Sequence, residues 1–496
     1  MASDIASSPD FAAPAAASEP DHAARNRLVI GLLLVSTFVV ILNETIMSVA
    51  LPRLMADLGV GASAAQWLTT AFLLTMAVVI PVTGFLIQRM HTRPVFMLAM
   101  SIFSVGTLVC AISPGLELLI VGRVVQAVGT AIMMPLLMTT VMTLVPPESR
   151  GRVMGNISIV ISVAPALGPT ISGIILNYLE WRWMFILVLP IALAALALGA
   201  WRMQNVTTPR YAPLDLLSVI VSALAFGGLV YGLSTLGEAA GEGTGMPGWI
   251  PVAVGSVAMV IFIWRQLLLQ KAERALLDLR TFASKNYSIA VAMMAICMGS
   301  LFGTIILLPI YLQNVLGLDT LQTGLLLLPG GLIMGLCAPF VGRLYDRFGA
   351  RRLLIPGSII VSAVMWALTL VDENTGVPAL LTGHIAISVG LALIFTPLFT
   401  ASLSSVPMRL YSHGSAILGS IQQVAGAAGV ALFVALMTLQ AANLAAAGAS
   451  QITALTGGIR VAFLCGAILS LGAVAAAFFV RKPVEEGAGG TRGDGH

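Results

Sequence analysis

Two charged residues sit where charge is most costly. Asn43-Glu44 lies within an otherwise apolar run from Leu28 to Leu51, and Arg123 lies within a second such run, 118–140. A carboxylate inside a hydrocarbon-spanning segment costs at least about 2.5 kcal/mol on insertion scales, so it either has a partner or a job. The chemistry open to it is proton exchange. The proton affinity of a buried acid depends on its desolvation and on nearby cations. An acid whose surroundings alternate between two states therefore loads and releases a proton. His384 is a third candidate, since an imidazole titrates near neutral pH. Bond-making chemistry lacks its parts. The five histidines (His22, His91, His384, His413, His496) are scattered, and no paired acids lie at depth. The four cysteines (Cys110, Cys297, Cys337, Cys465) fall inside apolar runs with no close pair, as small core residues do. An enzyme or a metal site is not expected, and a purely structural scaffold would not need a buried Glu.

The elements that hold these residues follow from composition. Of 496 residues, 58% are hydrophobic and 9% charged, against roughly 25% charged in soluble domains. The chain reads as an all-α membrane protein. Runs of about 20 apolar residues occur near 28–51, 64–86, 94–113, 118–140, 153–177, 183–203, 214–236, 249–270, 289–312, 323–344, 352–371, 379–403, 419–440 and 459–480. With fourteen spans both termini share one side. Twenty-one of the 25 Lys and Arg then fall on that side, and only Arg53, Arg182 and Arg460 on the other. This bias places both termini in the cytoplasm of a multi-pass protein of the inner (cytoplasmic) membrane. The positive net charge then answers to lipid headgroups and not to nucleic acid. Helix 1 runs outward and helix 4 inward. At 1.5 Å per residue, Glu44 lies roughly 10 Å and Arg123 roughly 8 Å below the outer ends of their spans. Glu44 is therefore the candidate proton site, tuned by Arg123.

The two ends of the chain are related. Pro81, Gly84, Leu86 and Arg89 recur as Pro339, Gly342, Leu344 and Arg347, at one offset of 258; Arg93 and Arg351 keep it. Gly122-Arg123 with Gly129 matches Gly383-His384 with Gly390, at an offset of 261. Repeats of this kind mark transporters, whose substrate site lies between halves near the midplane. The expected organisation is a disordered tail (1–27), an N-terminal six-helix bundle (28–203), an inserted two-helix hairpin with linkers (204–288), a C-terminal six-helix bundle (289–480) and a second disordered tail (481–496). The loop from Gly237 to Gly248 reads as a solvated linker. The segment from Arg265 to Lys285 holds five basic residues and is expected along the headgroups. No Walker-type glycine loop is present, so the energy source expected is an ion gradient, without a cofactor.

Several motifs resemble those of the major facilitator superfamily, and within it the fourteen-helix drug:proton antiporters. They are Leu42-Asn43-Glu44-Thr45-Ile46 through Pro52, Gly122-Arg123 through Gln126 and Gly129, Ala164-Pro165-Ala166-Leu167-Gly168-Pro169 with Gly173, Trp181-Arg182-Trp183-Met184-Phe185 with Pro190, and Gly342 through Asp346-Arg347 and Gly349. The Asn-Glu-Thr form of the first is most similar to the lincomycin-resistance-type subgroup. Some positions depart: Gln88 stands where the first inner-loop motif normally has Asp, His91 where it has Gly, Ser172 for a Gly, and Val188 for an Asn. The Gln88 and His91 changes bear on the charge contacts that steady the closed cytoplasmic side.

The resemblance implies a proton-coupled exporter of small amphipathic drugs working by alternating access. The alternative is an exporter of a native metabolite or lipid with incidental drug resistance. It fixes neither a cargo nor an oligomeric state. Gly84, Arg89, Gly168, Pro169, Gly173, Gly342, Asp346 and Arg347 would serve conformational change; Gly168-Pro169 interrupts the hydrogen-bond ladder of helix 5 and permits close approach. Candidate substrate contacts are Asn43, Gln126, Met133, Phe302, Gln313, Asn314, Phe395, Gln422 and Gln423. Met adapts its shape to irregular apolar ligands, and amides orient a ligand without demanding one chemistry.

Overall fold

A computed structural model describes residues 19–60, 62–209, 215–238 and 248–481. Fourteen helices among them are long and apolar enough to cross a membrane. They are α1 (Glu19–Leu58), α2 (Ala62–Arg89), α3 (Thr92–Ile112), α4 (Leu116–Leu144), α5 (Arg150–Tyr178) and α6 (Trp183–Arg202). Next comes α7, in which Leu216–Ser222 and Gly228–Glu238 flank a π-helical stretch, Ala223–Gly227. Then follow α8 (Trp249–Leu269), α9 (Lys285–Asn314), α10 (Thr320–Phe348), α11 (Arg351–Leu368), α12 (Val377–Ser404), α13 (Tyr411–Ala446) and α14 (Gln451–Ala477). Among the described residues there is no strand.

Local signals set several of the starts. Side chains of Asp215, Ser284, Asp319 and Ser450 accept from the backbone N–H of Ser218, Tyr287, Gln322 and Thr453, which satisfies orphan donors. Asp319 and Gln322 complete a reciprocal capping box. Helix α10 stops at Gly349, whose φ of 77° suits glycine.

Two starts differ from the sequence reading. α1 begins at Glu19, inside the stretch expected to be a tail; Ala24, Arg25 and Arg27 are strong helix formers that extend the apolar span. Residues 1–18 and 482–496 lie outside the described residues, as does 239–247 of the expected linker. α13 begins eight residues before its apolar run, through Ser412, His413 and Ser415. These polar residues read as loop in sequence but are buried between helices.

The same helix pairs pack in each half. α3 packs on α4 and α6, α1 on α4, α5 and α6, and α2 on α4. Their counterparts, α11 on α12 and α14, α9 on α12, α13 and α14, and α10 on α12, recur in the C-terminal bundle. Gly129 and Gly390, matched in the sequence repeat, do the same work: a Cβ on Gly129 would come within 2.5 Å of Ala99 O in α3, and one on Gly390 within 2.8 Å of Val361 Cγ2 in α11. The bundles meet along two related seams, α5 with α10 and α2 with α13.

The seams are tightest on the side where the basic loops lie, called here the basic side. A Cβ on Gly342 would stand 2.1 Å from Gly151 O, and one on Gly155 2.6 Å from Ala338 O. Higher on the same seam, Gly335 abuts Val163 and Gly331 abuts Ala166. Towards the opposite side, Gly173 in α5 and Gly324 in α10 would each meet nothing within 4 Å. Cross-half hydroxyl pairs reinforce the closed end: Thr139 with Ser415 at 2.9 Å, and Thr396 donating to Ser158 at 2.8 Å. The tightest contacts between the halves thus lie on the basic side.

The inserted hairpin, α7–α8, packs on both α2 and α13. Arg265 in α8 donates two 2.8 Å hydrogen bonds to Asp215 at the start of α7. These bonds, set against the cost of burial, hold the Asp215 carboxyl well below the usual carboxylate range. Its stabilising contribution is therefore complete above about pH 4 and is lost only in stronger acid. The segment between α8 and α9 does not lie free along the headgroups as its basic residues suggested. Leu276, Leu277, Asp278 and Thr281 are buried, because the two leucines gain more from the core than from the interface.

Gly342→Val is expected to insert normally but to hold the α5–α10 seam apart. A thiol placed at buried Ser158 should then react with a water-soluble maleimide at least about tenfold faster than in the parent, since packed interiors yield little to added volume. Equal reaction rates would show that the seam tolerates the side chain.

Candidate coupling site and inner latches

Three consecutive residues of α1 face different neighbours, as the 100° step of a helix requires. Asn43 is buried and turns to α4. Thr45 turns to α5, where Gly168 makes room for it: a Cβ there would stand 2.2 Å from Thr45 Oγ1. Helix α5 runs on unbroken through Gly168 and Pro169. Glu44 points between these two directions and is half-buried.

Arg123 is only 1% exposed, although it carries a full charge. Its Nη1 donates to Asn43 Oδ1 at 3.0 Å and to Gln126 Oε1 at 3.1 Å. Gln126 in turn donates to Thr107 Oγ1 at 2.8 Å. The guanidinium lies over the Phe72 ring, 4.1 Å from its centroid, a favourable place for a cation in a dry site. Its Nε has no hydrogen-bond partner among the described residues. Arg123 and Glu44 form no contact ion pair among the described residues; the guanidinium acts on the carboxyl through space. The sequence reading set Arg123 to tune Glu44; the direct partner of Arg123 on α1 is the neighbouring Asn43, and the guanidinium charge still reaches Glu44 through space. Phe72, Thr107 and Cys110, whose thiol approaches Gln126 Oε1 at 3.7 Å, complete the site without a sequence signal that singled them out.

His384 occupies the matching place in α12. Its Nε2 donates to Leu327 O in α10 at 3.0 Å, and Gly330 leaves the ring its space, since a Cβ there would stand 2.3 Å from Nε2. A carbonyl can only accept, so the proton sits on Nε2. His384 therefore bonds within its own half, far from the Arg123 cluster in sequence and in partners.

The expected substrate contacts do not form one set. Asn43 and Gln126 are committed to Arg123. Met133 and Phe395 are buried in the apolar core. Phe302 is 40% exposed and lies against Gly426 of α13. Gln313 and Asn314 are exposed at the end of α9 away from the basic side. Gln422 and Gln423 are half-buried in α13, and Gln423 Nε2 reaches Met76 Sδ of α2 at 4.0 Å, across the seam between halves.

On the basic side two related contacts close the seams. Asp346 accepts from the backbone N–H of Gly151 at 2.7 Å and of Arg152 at 2.8 Å, at the start of α5. A carboxylate at a helix N-terminus is doubly favoured, by the free N–H groups and by the dipole. At the equivalent place Gln88 Nε2 lies 2.8 Å from Ser412 Oγ and 2.7 Å from His413 Nε2, at the start of α13. Positions 412 and 413 relate to 151 and 152 by the same offset of 261 found in the sequence. Gln88, the departure from the family motif, is thus a neutral latch facing a charged one. His91, the second departure, engages Thr207 O at 2.8 Å and ties the segment after α6 to α3. Gly84 lies on the α2–α13 seam, 3.2 Å from Ser412 O by the same Cβ measure. Arg89 and Arg347 lie over the Phe85 and Phe348 rings at the basic ends of α2 and α10.

The profile of the Major Facilitator Superfamily matches residues 33–430. The chain belongs to the major facilitator superfamily. Within this family it is 39% identical over 463 residues to the Bacillus subtilis "Uncharacterized MFS-type transporter YcnB", covering 92% of this chain and 95% of that protein. It is 39% identical over 460 residues to the "Lincomycin resistance protein LmrB" of Listeria monocytogenes, covering 92% and 96%. The "Multidrug resistance protein B homolog" of Mycobacterium tuberculosis is 29% identical over 428 residues, covering 84% and 78%. Two solved major facilitator structures share the fold. The human organic anion transporter MFSD10 has a TM-score of 0.62 at 15% identity, covering 90% of this chain and 99% of that one. The proton:xylose symporter XylE has a TM-score of 0.61 at 14% identity, covering 93% and 97%.

Removing the guanidinium leaves Asn43 Oδ1 without its buried donor and Gln126 Oε1 with only the weak Cys110 thiol, at about 1–3 kcal/mol for an unsatisfied group. Arg123→Ala should therefore lower the thermal unfolding midpoint in detergent more than Asn43→Ala does. Arg123→Lys should fall between, because an ammonium keeps the charge but loses the planar fork. Equal midpoints for all three would separate Arg123 from the stability of the bundle.

Proposed function

We propose that this major facilitator transporter exports small amphipathic drugs across the cytoplasmic membrane in exchange for protons. The observation that carries the reading is Glu44, a half-buried acid deep in α1, beside the permanently charged and fully buried Arg123. The names of its relatives in Listeria and Mycobacterium, lincomycin resistance and multidrug resistance, favour drugs as cargo. The basic side is the cytoplasmic one by the distribution of Lys and Arg. Tight contacts there, and open space about Gly173 and Gly324 towards the other side, favour a form open to the outside.

In that state Glu44 takes a proton from the outer side, where the gradient supplies it. Neutralising the acid removes its attraction to Arg123 and lowers the cost of closing hydrocarbon around it. The latches at Asp346 and Gln88 then part and the seams open inward. Proton release to the cytoplasm restores the charge, cargo enters, and the halves return. Drug and proton use the same cavity in opposite senses, so neither crosses without the other. The energy source is the gradient, with no cofactor; the partners are the bilayer and the cargo. The ion pair at Asp215 and the carboxyl of Asp278, where hydrogen bonds from Arg280 outweigh burial to keep it below its ordinary value, stay ionised at neutral pH.

Glu44→Gln is expected to reach the membrane in parental amounts and to lose proton-driven export. Cells expressing it should accumulate a panel of amphipathic dyes to the level of cells treated with a protonophore. Full export by the variant would end the proposal for Glu44, and parental export that ignores a protonophore would end the proton coupling.

A further inference from the structure

The hairpin α7–α8 touches both halves, but among the described residues its hydrogen bonds lead to one. At its basic end Arg265 bonds Asp215. Next to it, Gln266 donates to Ser218 Oγ at 2.9 Å while its Oε1 accepts from Leu276 N at 2.7 Å and Leu277 N at 3.3 Å. One buried amide thus joins α7, α8 and the strap that leads into α9. That strap is itself seated. Leu276 and Leu277 are buried, Asp278 caps the turn Leu279–Ala283, and Ser284 caps α9. Glu273, held at a φ of 54°, pairs with Arg280 at 3.5 Å and with Arg409, just before α13, at 3.8 Å. Tyr287 of α9 donates to Gly414 O of α13 at 2.8 Å. The path from hairpin to C-terminal bundle is continuous in hydrogen bonds.

Against α2 the surface is of another kind. Gly227 in the π-helical stretch faces Val78 and Leu74, and a Cβ there would stand 3.1 Å from Val78 Cγ2. Trp67 stacks on Tyr231 with centroids 5.9 Å apart. These contacts are apolar and carry no directional bond. Hydrogen bonds in a dry setting fix partners, whereas apolar packing in lipid has little preference between one register and the next.

We propose that the hairpin is a wall carried by the C-terminal half: as the halves rock, α7 and α8 travel with α9–α14 and slide over α2. The α2–α13 seam is the one it covers, so lipid is kept from that seam while it opens. The inference rests on the alternating-access reading above, and adds to it which half owns the two extra helices.

Two cross-links decide it, in a chain that keeps the buried Cys110 and Cys297, has Cys337 and Cys465 replaced by alanine, and whose dye export is measured first. Val78→Cys with Gly227→Cys joins α7 to α2; losing the Val78 methyls opens space for the disulfide. Glu273→Cys with Arg409→Cys, bridged by a short bismaleimide, joins the strap to the C-terminal half. Oxidising the first pair should cut export about tenfold or more, as expected when a conformational step is blocked, and reductant should restore it. Bridging the second should leave export within about twofold of its unbridged level, because it blocks no such step. Export that survives the first bridge, or is lost with the second, assigns the hairpin to the N-terminal half and overturns the proposal. Loss of export before any bridge forms counts against the transport reading instead.

Discussion

A guanidinium does not give up its proton inside a protein, and this fold keeps one in the middle of its N-terminal bundle. Much of the local architecture answers to that charge. Phe72 supplies a π face, Asn43 and Gln126 supply carbonyl oxygens, and Thr107 holds the second amide in place. All of these acceptors are neutral. The Nη1 of Arg123 finds its acceptors without drawing on Glu44, so the carboxyl is not committed to a contact ion pair under that fixed positive field. The C-terminal half, which has His384 bonded to a backbone carbonyl at the matching position, makes no such demand. The internal repeat is therefore symmetric in helix packing and asymmetric in charge.

The same split runs through the seams. Small residues bring α5 and α10 to backbone contact on the basic side, and the cross-half hydroxyl pairs need that proximity to form. Gly168 performs the equivalent service inside the N-terminal half by admitting Thr45. A transporter of this family must hold two arrangements of nearly equal free energy. Contacts made of glycine and single hydroxyls suit that need, because each is modest and all break together when helices separate.

Much of this was readable in the chain. Each apolar run became a helix, and the matched Pro, Gly and Arg positions became matched packing, because every half must solve the same backbone problem in hydrocarbon. That Glu44 lies within the field of Arg123 was legible from residue counts. Their pairing was not: adjacent residues on a helix stand 100° apart, so depth alone does not choose between Asn43 and Glu44. Met133 and Phe395 looked like ligand contacts by type but belong to the core, where flexible and aromatic side chains are equally at home. The strap before α9 was misjudged because a tally of basic residues overlooks two leucines that fold inward. The early start of α13 was missed because Ser412 and His413 are polar, and only the arrival of Gln88 from α2 gives them a buried use.

That last contact has a consequence for how such a carrier is tuned. Asp346 grips a helix end through ionic attraction, which salt and acid weaken. Gln88 holds by an amide that turns over freely and so accommodates either form of the facing imidazole. The resting preference for one face of the membrane is consequently adjustable at residue 88 alone. An acidic side chain there would strengthen the contact on the basic side, and a smaller one would relax it, without touching Arg123 or Glu44.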